Sequence, residues 1–151
     1  MDLRAEFAFE VRVAVGTPLV IGQTQAGERR IVPITGGTFN GPRLSGEILP
    51  GGADWQVISP DGVTEVEARY TLRERDGTSI YVVNRGLRHG PADVMRRLAR
   101  GEDVDPALYY FRTTPTFEVA DGPHAWLRRA IFVGIGARRP SEVLIRYFQV
   151  L

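Results

Sequence analysis

Apolar and polar residues alternate with a period of two along most of this chain. Residues 7–13 place Phe, Phe, Val and Val at every second position between charged or small residues, which predicts a strand with one buried face. Residues 66–72 follow the same rule with Val, Ala, Tyr and Leu. An Asp76-Gly77 turn precedes a second apolar run at 79–84, so the two runs together predict a β-hairpin.

Short strand-like runs recur over the rest of the chain, and turns rich in Gly, Pro and Asp separate them: 19–22, 30–35, 43–49, 55–59, 109–113, 131–136 and 143–151. One segment is typical of a helix, because Pro91 suits its first position, Asp93 suits its positive end and Gly101 can close it. A second short turn is expected at 124–129.

This pattern predicts a single all-β domain over residues 1–151, an antiparallel barrel of about 8 to 10 strands with one short helix. A closed barrel is favoured over a sandwich because closure leaves no exposed strand edges. Residues 131–133 and 144–148 are apolar on both faces, whereas a barrel has only one interior. We therefore expect a homo-oligomer that covers the outer faces, with a dimer as the first expectation.

The composition excludes several chemistries. The chain has no cysteine and its 19 basic residues are all arginine, so disulfides, thiolate nucleophiles and lysine Schiff bases are absent. A net charge of +1 gives no strong field toward nucleic acid. No apolar run approaches the roughly 18 residues that span a bilayer, and the first residues lack a signal-peptide pattern. We expect no nucleic-acid or membrane partner and a cytoplasmic location.

Metal and cofactor motifs are missing from the sequence. His89 and His124 are its only histidines, and neither lies in an HxH or HExxH pattern. There is no GxGxxG, Walker or GxSxG motif to indicate a nucleotide or a serine nucleophile. We expect neither a metal nor an organic cofactor.

Two pairs of charged residues could carry chemistry inside a barrel. Glu67 and Arg69 share one face of their strand; they are a pair in a low-dielectric cavity if that face points inward, and a solvated pair if it points outward. In the stretch YYFRTTPTFE, residues 109–118, Arg112 follows three rings and could bind a carboxylate or an enolate. Glu118 could move a proton there, or could pair with Arg112 in a purely structural role.

The stretch PGGADWQ is a glycine-rich turn that delivers Asp54 and Trp55 to the next strand. It is not a phosphate loop, because it lacks the GKS or GKT ending and no helix follows it. Trp55 could form a wall for a planar ligand or could fill the end of the barrel. Asn84, in VNRG, ends its strand beside a glycine and could face the barrel mouth.

Four motifs follow one another along the chain: PITGGTFNGPRLSGEILPGGADWQ, ARYTLRERDGTSIYVVNRG, YYFRTTPTFE and HAWLRRAIFVGIG. Together they resemble the bacterial and fungal family catalogued as domain of unknown function 3237, over about residues 31–151. The resemblance implies a compact antiparallel β-barrel similar to the lipocalin and allene-oxide-cyclase barrels. It supplies a fold and few residue roles.

The family's motif positions, as the resemblance implies them, are rich in rings and include an Arg-Thr run: Gly41, Arg43, Gly46, Trp55, Asn84, Gly86, Tyr110, Phe111, Arg112, Thr113, Pro115, Phe117 and Trp126. Ser45 departs from the pattern, since a second basic residue is expected there. If that residue helps to hold an anionic ligand, the substrate of this chain differs.

The hypothesis from the sequence is a cofactor-independent enzyme of the cyclase, isomerase or lyase type, acting on a small carbonyl-containing or aromatic molecule in the barrel. Arg112, Glu67 and Glu118 are its predicted catalytic residues. The predicted substrate-binding residues supply rings, charges and polar groups: Arg43, Trp55, Arg69, Asn84, Tyr110, Phe111, Thr113 and Trp126. Two alternatives stay open, a non-catalytic lipocalin-like binder of a small molecule and a structural barrel filled by its own side chains.

Overall fold

The computed structural model describes residues 1–151 and confirms an antiparallel β-barrel with one α-helix. The ten strands are β1 Ala5–Val15, β2 Leu19–Thr24, β3 Gly27–Asn40, β4 Ser45–Ile48, β5 Gly52–Ile58, β6 Thr64–Glu74, β7 Ser79–His89, β8 Tyr110–Glu118, β9 Phe132–Arg138 and β10 Glu142–Val150. Helix α1 is Ala92–Ala99, and short 3-10 helices lie at Pro106–Leu108 and Ala125–Arg129.

The barrel closes where β1 pairs with β3 as well as with β10. From β10 the sheet continues through β9, β8 and β7 to β6. Strands β4 and β5 follow one another in the space between β6 and β3, and β2 pairs only with β3. The result is a closed barrel of eight positions with two extra strands, which is the predicted architecture.

Strand β3 is long enough to serve two parts of the barrel because it changes neighbours along its length. Its first half pairs with β2 and β5, and its second half pairs with β1 and β4. Gly36 and Gly37, at φ +151 and +134, lie at this change. A Cβ on Gly37 would meet the carbonyl oxygen of Arg12, so the close approach of β1 requires glycine there.

The alternation predicted from residue 7 onward begins instead at Phe9. The pairing of β1 with β10 shifts by one residue between Phe7 and Phe9, so that Ala8 forms a bulge. Phe9 and Val11 are fully buried, whereas Phe7 lies on the other face and packs edge-on against Phe148 at 5.9 Å. The bulge thus changes which face the first residues of the strand occupy.

Two apolar clusters fill and cover the barrel. The larger contains 18 buried residues, among them Phe9, Leu72 and Tyr147. The smaller joins Val94 and Leu98 of α1 to barrel residues that include Val66 and Phe111, which confirms the predicted covering helix. Neither α1 nor the 3-10 segments could cross a bilayer. The homo-oligomer stays a prediction.

Candidate active site

A cavity of about 420 Å³ lies inside the barrel. Aliphatic side chains form a large part of its wall: Val13, Val15, Val32, Ile34, Val66, Ala68, Val143 and Ile145. The β1–β2 and β9–β10 connections contribute residues 16–18 and 139–141, several of which are exposed, so the cavity opens at this edge. This volume is of the size that holds a small organic ligand. A barrel filled by its own side chains, the structural alternative, does not fit this interior.

Asp54 of β5 is the carboxyl group in the cavity wall. Its Oδ2 accepts a hydrogen bond from Gln56 Nε2 at 2.7 Å, and its Oδ1 accepts one from the Glu67 backbone amide at 3.0 Å. Strands β5 and β6 are not paired between the positions Asp54–Ala68 and Val57–Glu65. The Asp54 side chain therefore accepts the hydrogen bond from the Glu67 amide that a main-chain carbonyl of β5 would accept in a regular ladder. Burial raises the pKa of Asp54, and the Gln56 hydrogen bond and the charge of Arg88 oppose that rise.

Arg88 of β7 is a buried cation that the protein leaves unpaired. It is only 3% exposed, forms no ion pair within 4 Å, and its buried Nε has no hydrogen-bond partner. Its guanidinium lies 5.3 Å from the ring centroid of Phe111. Burial, and then repulsion by Arg138, lowers its pKa to about 10, so Arg88 stays charged at neutral pH. A buried, unpaired charge costs several kcal/mol, on the order of what a bound anion would repay.

Two more arginines make this region strongly positive. Arg138 lines the cavity, and its pKa is lowered by burial and then by repulsion from Arg30. The Nε atom of Arg30 is buried without a hydrogen-bond partner. Arg88 and Arg138 both act on the one carboxyl group, Asp54, whose own ionisation burial disfavours, and Arg30 adds a third positive charge close to these two arginines. The electrostatic balance favours an anionic ligand.

Two amide oxygens at the cavity are also unsatisfied. Gln56 Oε1 and Asn84 Oδ1 are buried without a partner, although both residues line the cavity. Buried polar atoms are nearly always hydrogen-bonded in folded proteins. These acceptors are therefore available to hydroxyl groups of a ligand.

A pair of tyrosines borders the cavity on the side of the main core. The hydroxyl groups of Tyr70 and Tyr147 are 3.1 Å apart, and both residues are buried. Tyr70 lines the cavity. Burial raises the pKa of Tyr70 to about 12 and that of Tyr147 well above its ordinary value, so both stay protonated at neutral pH.

Of the residues predicted from the sequence, Asn84 and Phe111 line this cavity. Thr113 points inward and is buried against Gly134, but it does not line the cavity. Sequence reasoning missed Arg88, Gln56, Arg138 and Tyr70. It noted Asp54 without assigning it a role.

The three predicted catalytic residues lie outside the barrel. This corrects the position expected for Arg112 and Glu118, and it gives the outward orientation for Glu67, which the sequence left open. Arg112 and Glu118 are exposed because the alternate residues of β8, from Phe111 to Phe117, take the interior. The Nη1 atom of Arg112 donates to the Phe111 carbonyl at 2.9 Å. Glu67 accepts from Arg85 Nε at 2.8 Å, and this bond is the main reason that its pKa is lowered.

The other predicted binding residues also lie away from the cavity. Arg69 is exposed and donates to Glu67 and to the Tyr81 hydroxyl, each at 3.1 Å. Trp55 and Tyr110 are 43% and 44% exposed. Arg43 stacks on Trp126 at 3.8 Å, and Trp126 packs against the main core beside Phe132. These aromatic residues cover the outside and the far end of the barrel.

One cluster has a composition that could hold a metal ion: Glu74, Asp76 and His124. His124 is buried, and its Nε2 lies 3.0 Å from a Glu74 oxygen and 2.8 Å from an Asp76 oxygen. The contacts tie the Ala125–Arg129 helix to the β6–β7 turn, which is a structural role. The sequence did not indicate this cluster, because His124 lies about 50 residues further along the chain than Glu74 and Asp76.

The family described as "Protein of unknown function (DUF3237)" matches residues 3–150. The chain belongs to this family. A UPF0311 protein of Rhodopseudomonas palustris is 42% identical over 149 residues, covering 99% of this chain and 97% of that protein. The crystal structure of a conserved R. palustris protein of unknown function superposes with a TM-score of 0.95 at 42% identity, over 100% of this chain and 99% of that one.

Three further matches extend the comparison. A structure described as a beta-barrel like protein from Acinetobacter baumannii has a TM-score of 0.87 at 37% identity, over 100% and 98% of the two chains. The hydroalkoxylation enzyme of Penicillium herquei is 29% identical over 77 residues, 51% of each chain. A structure of an enzyme from P. herquei has a TM-score of 0.74 at 19% identity, over 100% and 96% of the chains, and so shares the fold.

Proposed function

We propose that this protein is a cofactor-independent enzyme that isomerises or cyclises a small anionic organic molecule by proton transfer inside the barrel. The observation that carries the proposal is the buried, unpaired Arg88 in the same cavity as the carboxyl group of Asp54. The arginine supplies binding energy for an anion, and the carboxyl group is positioned to transfer a proton.

The chemistry that suits these two groups is the addition of an O–H group across a conjugated C=C bond. Arg88 holds the attacking oxygen as an anion, and that oxygen forms the new C–O bond at one alkene carbon. Asp54 takes the proton from the attacking hydroxyl group as that oxygen becomes an anion, and it delivers the proton to the other alkene carbon once the C–O bond has formed. Every atom of the substrate stays in the product, so no oxidant, reductant or cofactor is consumed.

The relation to the hydroalkoxylation enzyme of P. herquei supports this choice, because hydroalkoxylation is this addition. The aliphatic side chains of the wall support it further, since they lower the local dielectric constant and so strengthen the field of Arg88. Asp54 is held by two hydrogen bonds, which is the fixed geometry that proton transfer requires.

The test uses methyl 4-(2-hydroxyphenyl)but-2-enoate, a phenol that cyclises to a dihydrobenzofuran by this addition. We expect conversion above the rate in buffer, a fall of roughly 10²- to 10⁴-fold in kcat for Asp54→Asn, and a raised KM for Arg88→Met. Arg85→Met and Asp61→Asn are matched controls on the barrel surface and should convert the probe normally. Conversion by Asp54→Asn at the wild-type rate would remove Asp54 from the mechanism.

The non-catalytic binder is a separate outcome of the same experiment. Thermal shift with 4-phenylbutanoate reports anion binding without turnover. Stabilisation that Arg88→Met abolishes, together with no conversion of the phenol, would identify a binding protein and overturn the enzyme proposal.

A further inference from the structure

We propose that the natural substrate carries two separated oxygen groups, an anionic oxygen that Arg88 binds and a neutral carbonyl or ether oxygen that accepts a hydrogen bond from Tyr70. This inference rests on the proposed function for the position of the anion. It adds the second recognition point and therefore the chemical class of the substrate.

The hydrogen-bond capacity of the two tyrosines carries the argument. Tyr70 and Tyr147 have two hydroxyl protons, and the bond between their oxygens uses one of them. Neither hydroxyl group has another partner in the protein. One proton is therefore left to donate, and its direction depends on which tyrosine holds it.

The surroundings decide which proton is free. Tyr147 is fully buried, does not line the cavity, and has the rings of Phe9 and Phe117 at 5.1 and 6.1 Å. A proton left free on Tyr147 could not reach a ligand, because Tyr147 does not line the cavity. Tyr147 therefore donates to Tyr70, and the remaining proton is that of Tyr70, which borders the cavity. A tyrosine that stays protonated selects a hydrogen-bond acceptor.

The strand register places the two recognition points on opposite sides of Asp54. Asp54 is opposite Ala68 on β6, and Tyr70 lies two residues further along that strand, about 7 Å away. Arg88 is paired with Thr64, which lies in the other direction from Ala68. The carboxyl group thus lies between the anion-binding end and the Tyr70 end. Val66 and Ala68 line the space between them, together with the amide groups of Gln56 and Asn84.

The two ends fit the proposed addition. A carbonyl group conjugated to the alkene becomes an enolate when the C–O bond forms, and its oxygen gains negative charge. The Tyr70 hydroxyl donates to that oxygen, while the donation from Tyr147 strengthens Tyr70 as a donor. Tyr147 acts through Tyr70 and is a positioning residue.

A matched pair of acids tests the second recognition point by calorimetry: 3-benzoylpropionate and 4-phenylbutanoate, which differ in one carbonyl group. We expect the wild type to bind the keto acid roughly tenfold more tightly. Tyr70→Phe should remove that preference and leave the affinity for 4-phenylbutanoate unchanged. Tyr147→Phe, the matched control, should keep a preference because Tyr70 retains its proton.

Each result decides the inference. Equal binding of the two acids by the wild type, with affinity that depends on Arg88, would overturn the Tyr70 proposal and leave the proposed function standing. A preference that survives Tyr70→Phe in a folded variant would also overturn it. Binding of neither acid at millimolar concentration would overturn both the anion site and the inference that depends on it.

Discussion

The inner and outer faces of β6 and β7 carry the same kinds of charged group in opposite circumstances. On the outer face, Glu67 forms ion pairs with Arg85 at 2.7 Å and with Arg69 at 3.1 Å, and water reaches all three. On the inner face, Arg88 is buried and has no carboxylate within 4 Å. The outer group is complete as it stands, whereas the inner group has unused binding capacity. The comparison teaches that a charged side chain does not by itself identify the site. A buried charge without a partner does.

The largest expected effect comes from removing the inner charge. Arg88→Met should raise the free energy of unfolding of the unliganded protein by roughly 1–4 kcal/mol, because a buried charge without a partner is replaced by an apolar side chain of similar length. Urea denaturation measures the change. Arg85→Met, on the same strand and the outer face, is the control and should not stabilise the protein. Destabilisation by Arg88→Met would show that the comparison is wrong and that Arg88 is already satisfied.

A second difference should appear in the pH dependence of stability. The folded pKa of Asp54 is raised above the unfolded value near 3.8, so the folded state binds more protons and stability falls as pH rises from about 4 through the folded pKa. Asp54→Asn should flatten the curve of unfolding free energy against pH in this window. An unchanged curve would place Asp54 in a solvated setting like that of the outer carboxylates.

Asp76 supplies the opposite case for the same titration. Hydrogen bonds from Thr78, and then from His124, lower the pKa of Asp76 to about 2. Its contribution is present above about pH 4 and is lost as pH falls from 3.8 toward 2. Asp76→Asn should therefore lower the unfolding free energy throughout the range above about pH 4 and flatten the curve between pH 3.8 and 2, as urea denaturation across this range would measure.

The smallest effect is expected on the outer face. Glu67→Gln should change the free energy of unfolding by at most about 1 kcal/mol, since exposed ion pairs contribute little. Arg112→Met should leave the affinity for 4-phenylbutanoate unchanged because Arg112 lies outside the cavity. Loss of 4-phenylbutanoate binding in either variant would show that the outer face contributes to the site, and the contrast between the two faces would be wrong.

The fold was predictable because period-two alternation and glycine-rich turns report directly on strands and their connections. The helix was predictable from its ends, Pro91 and Gly101, with an acidic residue in the first turn. The bulge at Ala8 was not predictable, since nothing in the neighbouring residues distinguishes it from a regular strand. The pairing partner across the barrel produces it.

The site was harder to predict because the type of a single residue does not show whether it faces inward, whereas the alternation along the whole strand does. In RGLRHG, Leu87 looks like the inward residue and Arg88 like the outward one, yet Leu87 is 43% exposed and Arg88 is 3% exposed. Ile80 and Val82 are both fully buried, and counting every second residue from them leads through Asn84 to Arg88. This alternation identifies Arg88 as an inward-facing residue. Arg112 misled for the reverse reason, because aromatic residues occupy both faces of β8 at its start.

The hydrogen bond from the Glu67 amide to Asp54 Oδ1 has a practical consequence. The nitrogen lies in the main chain, and its acceptor belongs to a side chain that faces the cavity. Its resonance in a ¹⁵N-correlated NMR spectrum should therefore move when Asp54 ionises or when a molecule contacts it. That single peak gives a ligand screen that works before any substrate is identified.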